Sequence, residues 1–260
     1  MPPWTRNRRR SHRTIEIAHE IAARHAAGID LWLSGRPEEA VPVLEEALEG
    51  CRVGMGEDDP VTLTVAGNLG VVCFSAGAFQ QGLDLLAASV ADRTRAFGRS
   101  DPRTLTAVDA LATAYRLVGR IDEAVTLSEK VAAERARTLG PSHPDTLTSR
   151  LGAALARAAA GDVEPAIGLL GAALGEAQQA YGPRNEHVIA LRANLAGCLA
   201  LIGRAAEAAT ELQRAAGDAE ALLGRTHPET AMLFADLAHA HDRSWFFAIG
   251  RMAGEGRERG

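Results

Sequence analysis

The sequence predicts an all-α protein, a stacked array of antiparallel helix pairs, and three observations carry that prediction. First, one junction recurs along the chain. Pro60, Pro102 and Pro144 are evenly spaced, Pro228 falls two intervals further on with Glu186 in the missing slot, and Gly56, Gly98, Gly140, Gly182 and Gly224 keep the same beat. Second, another glycine series, Gly35, Gly77, Gly119, Gly161 and Gly203, runs half an interval out of phase and cuts each unit in two. Third, the composition is dominated by Ala, Leu, Gly, Arg and Glu with only 4% aromatics, which suits closely packed helices. Self-similarity at a fixed period is the mark of a repeat architecture, in which each unit touches mainly its neighbours.

The elements follow in order. Residues 1–13 are polar and basic (Arg6, Arg8, Arg9, Arg10, Arg13) and are expected to be a disordered, solvated tail. From Thr14 to Ser34 the apolar spacing of Ile17, Ile21, Ala22, Ile29 and Leu33 predicts a helix that ends at Gly35. Pro37-Glu38-Glu39 opens the second helix of that pair, with proline at an early position and acids near the positive end, and Gly56 closes it. Asp59-Pro60 opens the next pair, the Asp as a cap. Helix B of that unit covers about 79–97. The third unit is expected at 102–118 and 121–139, the fourth at 144–160 and 163–181, and the fifth at 186–202 and 205–223. A sixth first helix starts at Pro228 and reaches about His241, which sets the array at 14–243. Residues 244–252 follow as an aromatic segment and 253–260 as a polar tail.

Bulk properties exclude several classes. A net charge of −5 at pH 7 is mild and predicts no particular partner. The basic run could touch nucleic acid or anionic lipid, but a solvated tail is the expectation, so neither a nucleic acid nor a membrane is expected as partner. The apolar runs fall short of a membrane span, and the basic start lacks the apolar core of a secretory signal. Three widely spaced cysteines, Cys51, Cys73 and Cys198, fit a reduced cytoplasmic setting better than a disulfide framework or a metal site. Alanine abundance and arginine in place of lysine have the look of a GC-rich bacterial genome.

The unit carries its own packing code. Gly70–Gly82, Ala112–Ala124, Ala154–Ala166 and Ala196–Ala208 are each 12 apart, and Ser89, Val131, Ala173 and Ala215 lie seven further on. Small residues there let the two helices of a pair approach closely. Leu69, Leu111, Leu195 and Leu237 precede the small residue and fill the space between units. This code resembles that of the tetratricopeptide repeat, whose usual period is 34. The extra eight residues add roughly two helical turns at about 3.6 residues each. Together with the junction Gly140-Pro141-Ser142-His143-Pro144-Asp145-Thr146-Leu147 and the Asn68-Leu69-Gly70 and Asn194-Leu195-Ala196 triplets, the longer form is similar to the repeats of kinesin light chains and their bacterial relatives.

The resemblance implies a right-handed superhelix with the first helices lining a concave groove. Carried over residue by residue, its register places His25, Trp32, Asn68, Phe74, Asp109, Thr113, Arg116, Asn194, Asp236 and His239 on that groove, with Arg150 and Arg192 at its edge. Asn68 and Asn194 match the asparagine of the family's Asn-Leu-Ala motif, and an amide can both donate to and accept from a peptide backbone. The other reading, a bond between neighbouring helices, stays open. Arg157 falls in a slot that Tyr115 occupies one unit earlier, and a charge there needs a partner or an exit to water.

Chemistry beyond binding finds little support in the residues. His239 and His241, two apart on a helix, face different ways, and His19, Glu20 and His25 make no ligand set. His143 and His227 are junction residues. No nucleophile triad, phosphate loop or zinc motif stands out, so neither an enzyme nor a cofactor is expected. The function expected is a scaffold that binds a protein or peptide, with a signalling ATPase or regulator as the partner class that bacterial relatives suggest. Two alternatives remain: a homodimer assembled through Trp245, Phe246, Phe247 and Ile249, and a groove repurposed for a small molecule or a reaction.

Overall fold

The computed structural model describes residues 19–240. Those residues form helices joined by short turns, with no strand among them. The first, α1, is helical over 19–33. It is followed by α2 (Pro37–Met55), α3 (Pro60–Ser75), α4 (Phe79–Phe97), α5 (Pro102–Leu117), α6 (Ile121–Leu139), α7 (Pro144–Ala159), α8 (Val163–Tyr181), α9 (Glu186–Leu201), α10 (Ala205–Leu223) and α11 (Pro228–Ala240). Odd-numbered helices open a pair and even-numbered helices close it. The basic tail, the aromatic segment (Trp245, Phe246, Phe247, Ile249) and residues 253–260 lie outside the described residues.

The two glycine series stop helices in two ways. At Gly119 (φ 81°) the Arg120 amide donates to the Tyr115 carbonyl and the Gly119 amide to the Arg116 carbonyl. This is the left-handed closing turn that favours glycine, and it recurs at Gly35, Gly77, Gly161 and Gly203. It consumes one more residue than the sequence pattern suggests, so α5, α7 and α9 end at Leu117, Ala159 and Leu201 rather than at 118, 160 and 202. Gly140, at φ 93° and ψ 161°, instead occupies a region that only glycine visits freely. The next helix then starts with a cap: Asp59 accepts from the Val61 amide, His143 from Asp145 and Asn185 from His187. His143 of the repeat junction is thus a cap in its own right, whereas Nδ1 of the other junction histidine, His227, is buried without a hydrogen-bond partner among the described residues.

The chain divides into two compact units, Met1–Ala114 and Tyr115–Gly260. In the first unit the core is Ile21, Leu44, Leu48, Val65, Leu69 and Val72, with Ala40, Ala47, Cys51 and Cys73 between them. In the second, Leu147, Leu170, Leu191, Leu195 and Leu212 pack around alanines 154, 166, 173, 196, 208 and 215. Each fully buried leucine contributes about 1.5–3 kcal/mol relative to exposure. The small-residue code has a direct steric meaning: a Cβ on Gly82 would stand 2.9 Å from the Gly70 carbonyl oxygen, and one on Gly28 2.6 Å from the Leu44 side chain. None of the described helices is long and apolar enough to cross a membrane.

Candidate functional site

In the first unit, side chains expected on the groove join one opening helix to the next in pairs. The Asn68 amide nitrogen on α3 lies 2.9 Å from His25 Nε2 on α1, which makes the imidazole the acceptor and puts its own proton on Nδ1. Burial lowers the His25 pKa from its ordinary 6.5, favouring that neutral form. The Trp32 indole donates to Ser75 Oγ at 3.0 Å, again from α1 to α3. Phe74 packs against Phe79 with ring centroids 5.2 Å apart, closing the turn between α3 and α4. Asp109 is half-buried on α5 and Thr113, one turn on, is exposed.

The second unit differs. Arg116 is half-buried, its guanidinium has no hydrogen-bond or carboxylate partner among the described residues, and desolvation lowers its pKa. Asn194, the register equivalent of Asn68, turns back on its own helix and donates to the Ala190 carbonyl at 2.8 Å. Asp236 is half-buried on α11, and the side chain of His239 lies outside the described residues. Between them Gly152 on α7 and Gly197 on α9 face open space, since a Cβ on either would meet no heavy atom within 4 Å.

The two expected edge residues both pair with carboxylates on the closing helices. Arg150 on α7 pairs with Glu176 on α8 at 2.5 Å, and Arg192 on α9 pairs with Asp218 on α10, with Glu211 at 3.5 Å. Arg192 is only 6% exposed. A guanidinium on the opening helix is long enough to reach across to a carboxylate on the closing one, so each of these arginines clamps its pair. The signal was in the sequence: Glu176 follows Arg150 at the same offset by which Asp218 follows Arg192. Arg157 has the partner its slot demands, Glu129 at 2.6 Å and Asp162 at 3.0 Å. One unit earlier Tyr115 lies under Arg120, 4.1 Å from centroid to guanidinium, so the same two positions hold a ring and a cation there and an ion pair here.

Sequence reasoning also passed over a second arginine pair, one period apart on the closing helices. Arg93 donates to the Leu63 and Arg103 carbonyls at 3.1 and 3.0 Å. Arg135 donates to the Asp145 carbonyl at 3.0 Å and to Ser149 Oγ at 2.9 Å. Both fasten a closing helix to the first turn of the opening helix after it. No group of three or more His, Cys, Asp or Glu able to hold a metal occurs among the described residues.

Comparison with known proteins bears on the fold directly. The tetratricopeptide repeat model matches in three overlapping stretches, residues 19–94, 61–133 and 103–179. A search of curated proteins found no match. Among solved structures, a kinesin light chain protein of Podospora anserina with nearly identical TPR-like repeats shares 26% identity, with a TM-score of 0.68 over 77% of this chain and 95% of that one. BtubC of P. vanneervenii shares 16%, with a TM-score of 0.64 over 84% and 88%. A Rap protein complexed with Competence and Sporulation Factor shares 13%, with a TM-score of 0.55 over 93% and 78%. The last two likenesses concern the fold alone. With more than half of its length matched by the family model, and with helix pairs of the longer period, the chain belongs to the tetratricopeptide repeat family, in its kinesin light chain-like form.

Proposed function

We propose that the chain is a non-catalytic scaffold that holds a peptide or protein segment against the opening helices of its pairs. The observation that carries this reading is the His25–Asn68 pair. One amide proton is used between the two side chains. The Asn68 carbonyl oxygen, its second amide proton and the His25 Nδ1 proton have no partner among the described residues, and these are the groups that read a peptide backbone. Half-buried polar groups gain most from a ligand that satisfies them, because the low dielectric around them strengthens each bond.

The second unit, taken by itself, offers its own point of contact, Arg116. A desolvated, unpaired guanidinium favours a carboxylate, which it can hold by two parallel hydrogen bonds. A segment that binds the second unit is therefore proposed to carry an acidic side chain or terminus. A signalling ATPase or regulator is the partner class that the resemblance implies, and three buried free cysteines suit the cytoplasmic setting proposed for it.

A random peptide library displayed against the full chain tests the reading. Peptides that bind the first unit should lose about tenfold or more with Asn68→Ala, and peptides that bind the second should show enrichment of Asp or Glu that disappears in selections on Arg116→Ala. Binders indifferent to both substitutions would place the site elsewhere and overturn the proposal.

A further inference from the structure

A cleft of about 690 Å³ opens in the first unit between α2 and α4, the closing helices of consecutive pairs. Its floor is apolar, with Leu48 and Leu69 buried and Leu85 half-buried. Glu45, Glu49 and Asp84 stand exposed around it, and none of the three has a salt bridge among the described residues. Arg52 is the cation in the lining, and Gln81 donates to Glu45 at 2.9 Å across the gap. Three carboxylates against one guanidinium leave the cleft acidic. This place is distinct from the His25–Asn68 pair, which sits on opening helices.

The chain carries a segment of complementary chemistry next to it. Residues 1–18 hold Arg6, Arg8, Arg9, Arg10 and Arg13, with Trp4 ahead of them and no acid before Glu16. The point where this segment joins α1 is fixed by two contacts. Ile21 lies 3.1 Å from where a Cβ on Gly50 would be, and Arg24 reaches Glu46 at 3.6 Å. The start of α1 thus lies beside the stretch of α2, around residues 46–50, that walls the cleft. Crossing one helix of about 10–12 Å diameter takes about four extended residues at roughly 3.3–3.6 Å each.

We propose that this amino-terminal segment docks in the cleft between α2 and α4. Its arginines pair with Glu45, Glu49 and Asp84, and Trp4 covers the leucine floor. Guanidinium–carboxylate pairs supply direction and the indole supplies apolar area. The docked state occupies a basic run that would otherwise be open to any polyanion.

The test uses the full chain with Ser11→Cys carrying a nitroxide, the native cysteines being buried. At low salt the amide resonances of residues around Glu45, Glu49 and Asp84 should broaden, while those of α9 and α10 should not. The broadening should vanish in the triple variant E45Q/E49Q/D84N, whose spectrum reports an intact fold, and weaken at about 0.5 M salt as screening shortens the reach of the charges. Full intensity around the cleft at low salt would overturn the proposal, as would broadening that persists in the triple variant. A mixture of spin-labelled and isotope-labelled chains completes it: broadening seen only between different chains would assign the cleft to a second copy and overturn docking within one chain.

Discussion

Protonating His25 would set two donors against each other, because Nε2 is the atom that accepts from Asn68. Burial already holds the folded-state pKa below 6.5. The sign of the linkage follows: the unfolded chain binds this proton more readily than the folded one, so the contribution is present above the unfolded value and is lost as pH falls through the folded one. The urea midpoint of the full chain should therefore drop between pH 7.5 and a pH below about 6.5. His25→Gln keeps a hydrogen-bonding side chain without the titration, so the variant should show a smaller drop over the same interval. An equal drop in both proteins would remove His25 from the account. The same residue illustrates what a sequence can and cannot convey. Its place on the opening helix was legible from the repeat register. Its bond to Asn68 was not, since the two are far apart in the chain and only the packing of α1 on α3 brings them together.

Among the elements, the arginine clamps give two versions of one device at different depths. Arg192 and Arg150 occupy the same register position, yet the Arg192 side chain is 8% exposed and the Arg150 side chain 24%. Removing one partner of a buried ion pair leaves an uncompensated charge and costs about 3–5 kcal/mol, whereas a solvated pair is worth about 1 kcal/mol or less. Arg192→Ala should therefore cost about 3 kcal/mol in chemical denaturation, and Arg150→Ala about a third of that or less. Similar losses would show that depth does not decide the matter. Helix positions were the most legible feature of the sequence, because glycine is needed at each stop for conformational reasons that no other residue meets. The clamps were hidden because a lone arginine on a helix looks the same whether it faces solvent, a ligand or a carboxylate on the helix packed beside it.

At the level of the whole molecule, the repeat pattern runs through Ala114 and Tyr115 without a break, while the structure divides there into two compact units with separate apolar cores. Packing between consecutive helices makes stability a sum of local terms, so damage should stay near its source. Leu170 tests this. It is fully buried on α8, in the core of the second unit, and Leu170→Ala removes side-chain volume from among alanines that have little side chain with which to fill the void. The expected cost is about 2–5 kcal/mol. Amide hydrogen exchange should record it as lost protection over α7 to α10, with α2 and α3 exchanging as they do in wild type, since their core is built from Ile21, Leu44, Val65 and Val72. A uniform loss over both sets of helices would mean that the chain unfolds as one cooperative body, and that the boundary at Ala114 and Tyr115 has no energetic counterpart.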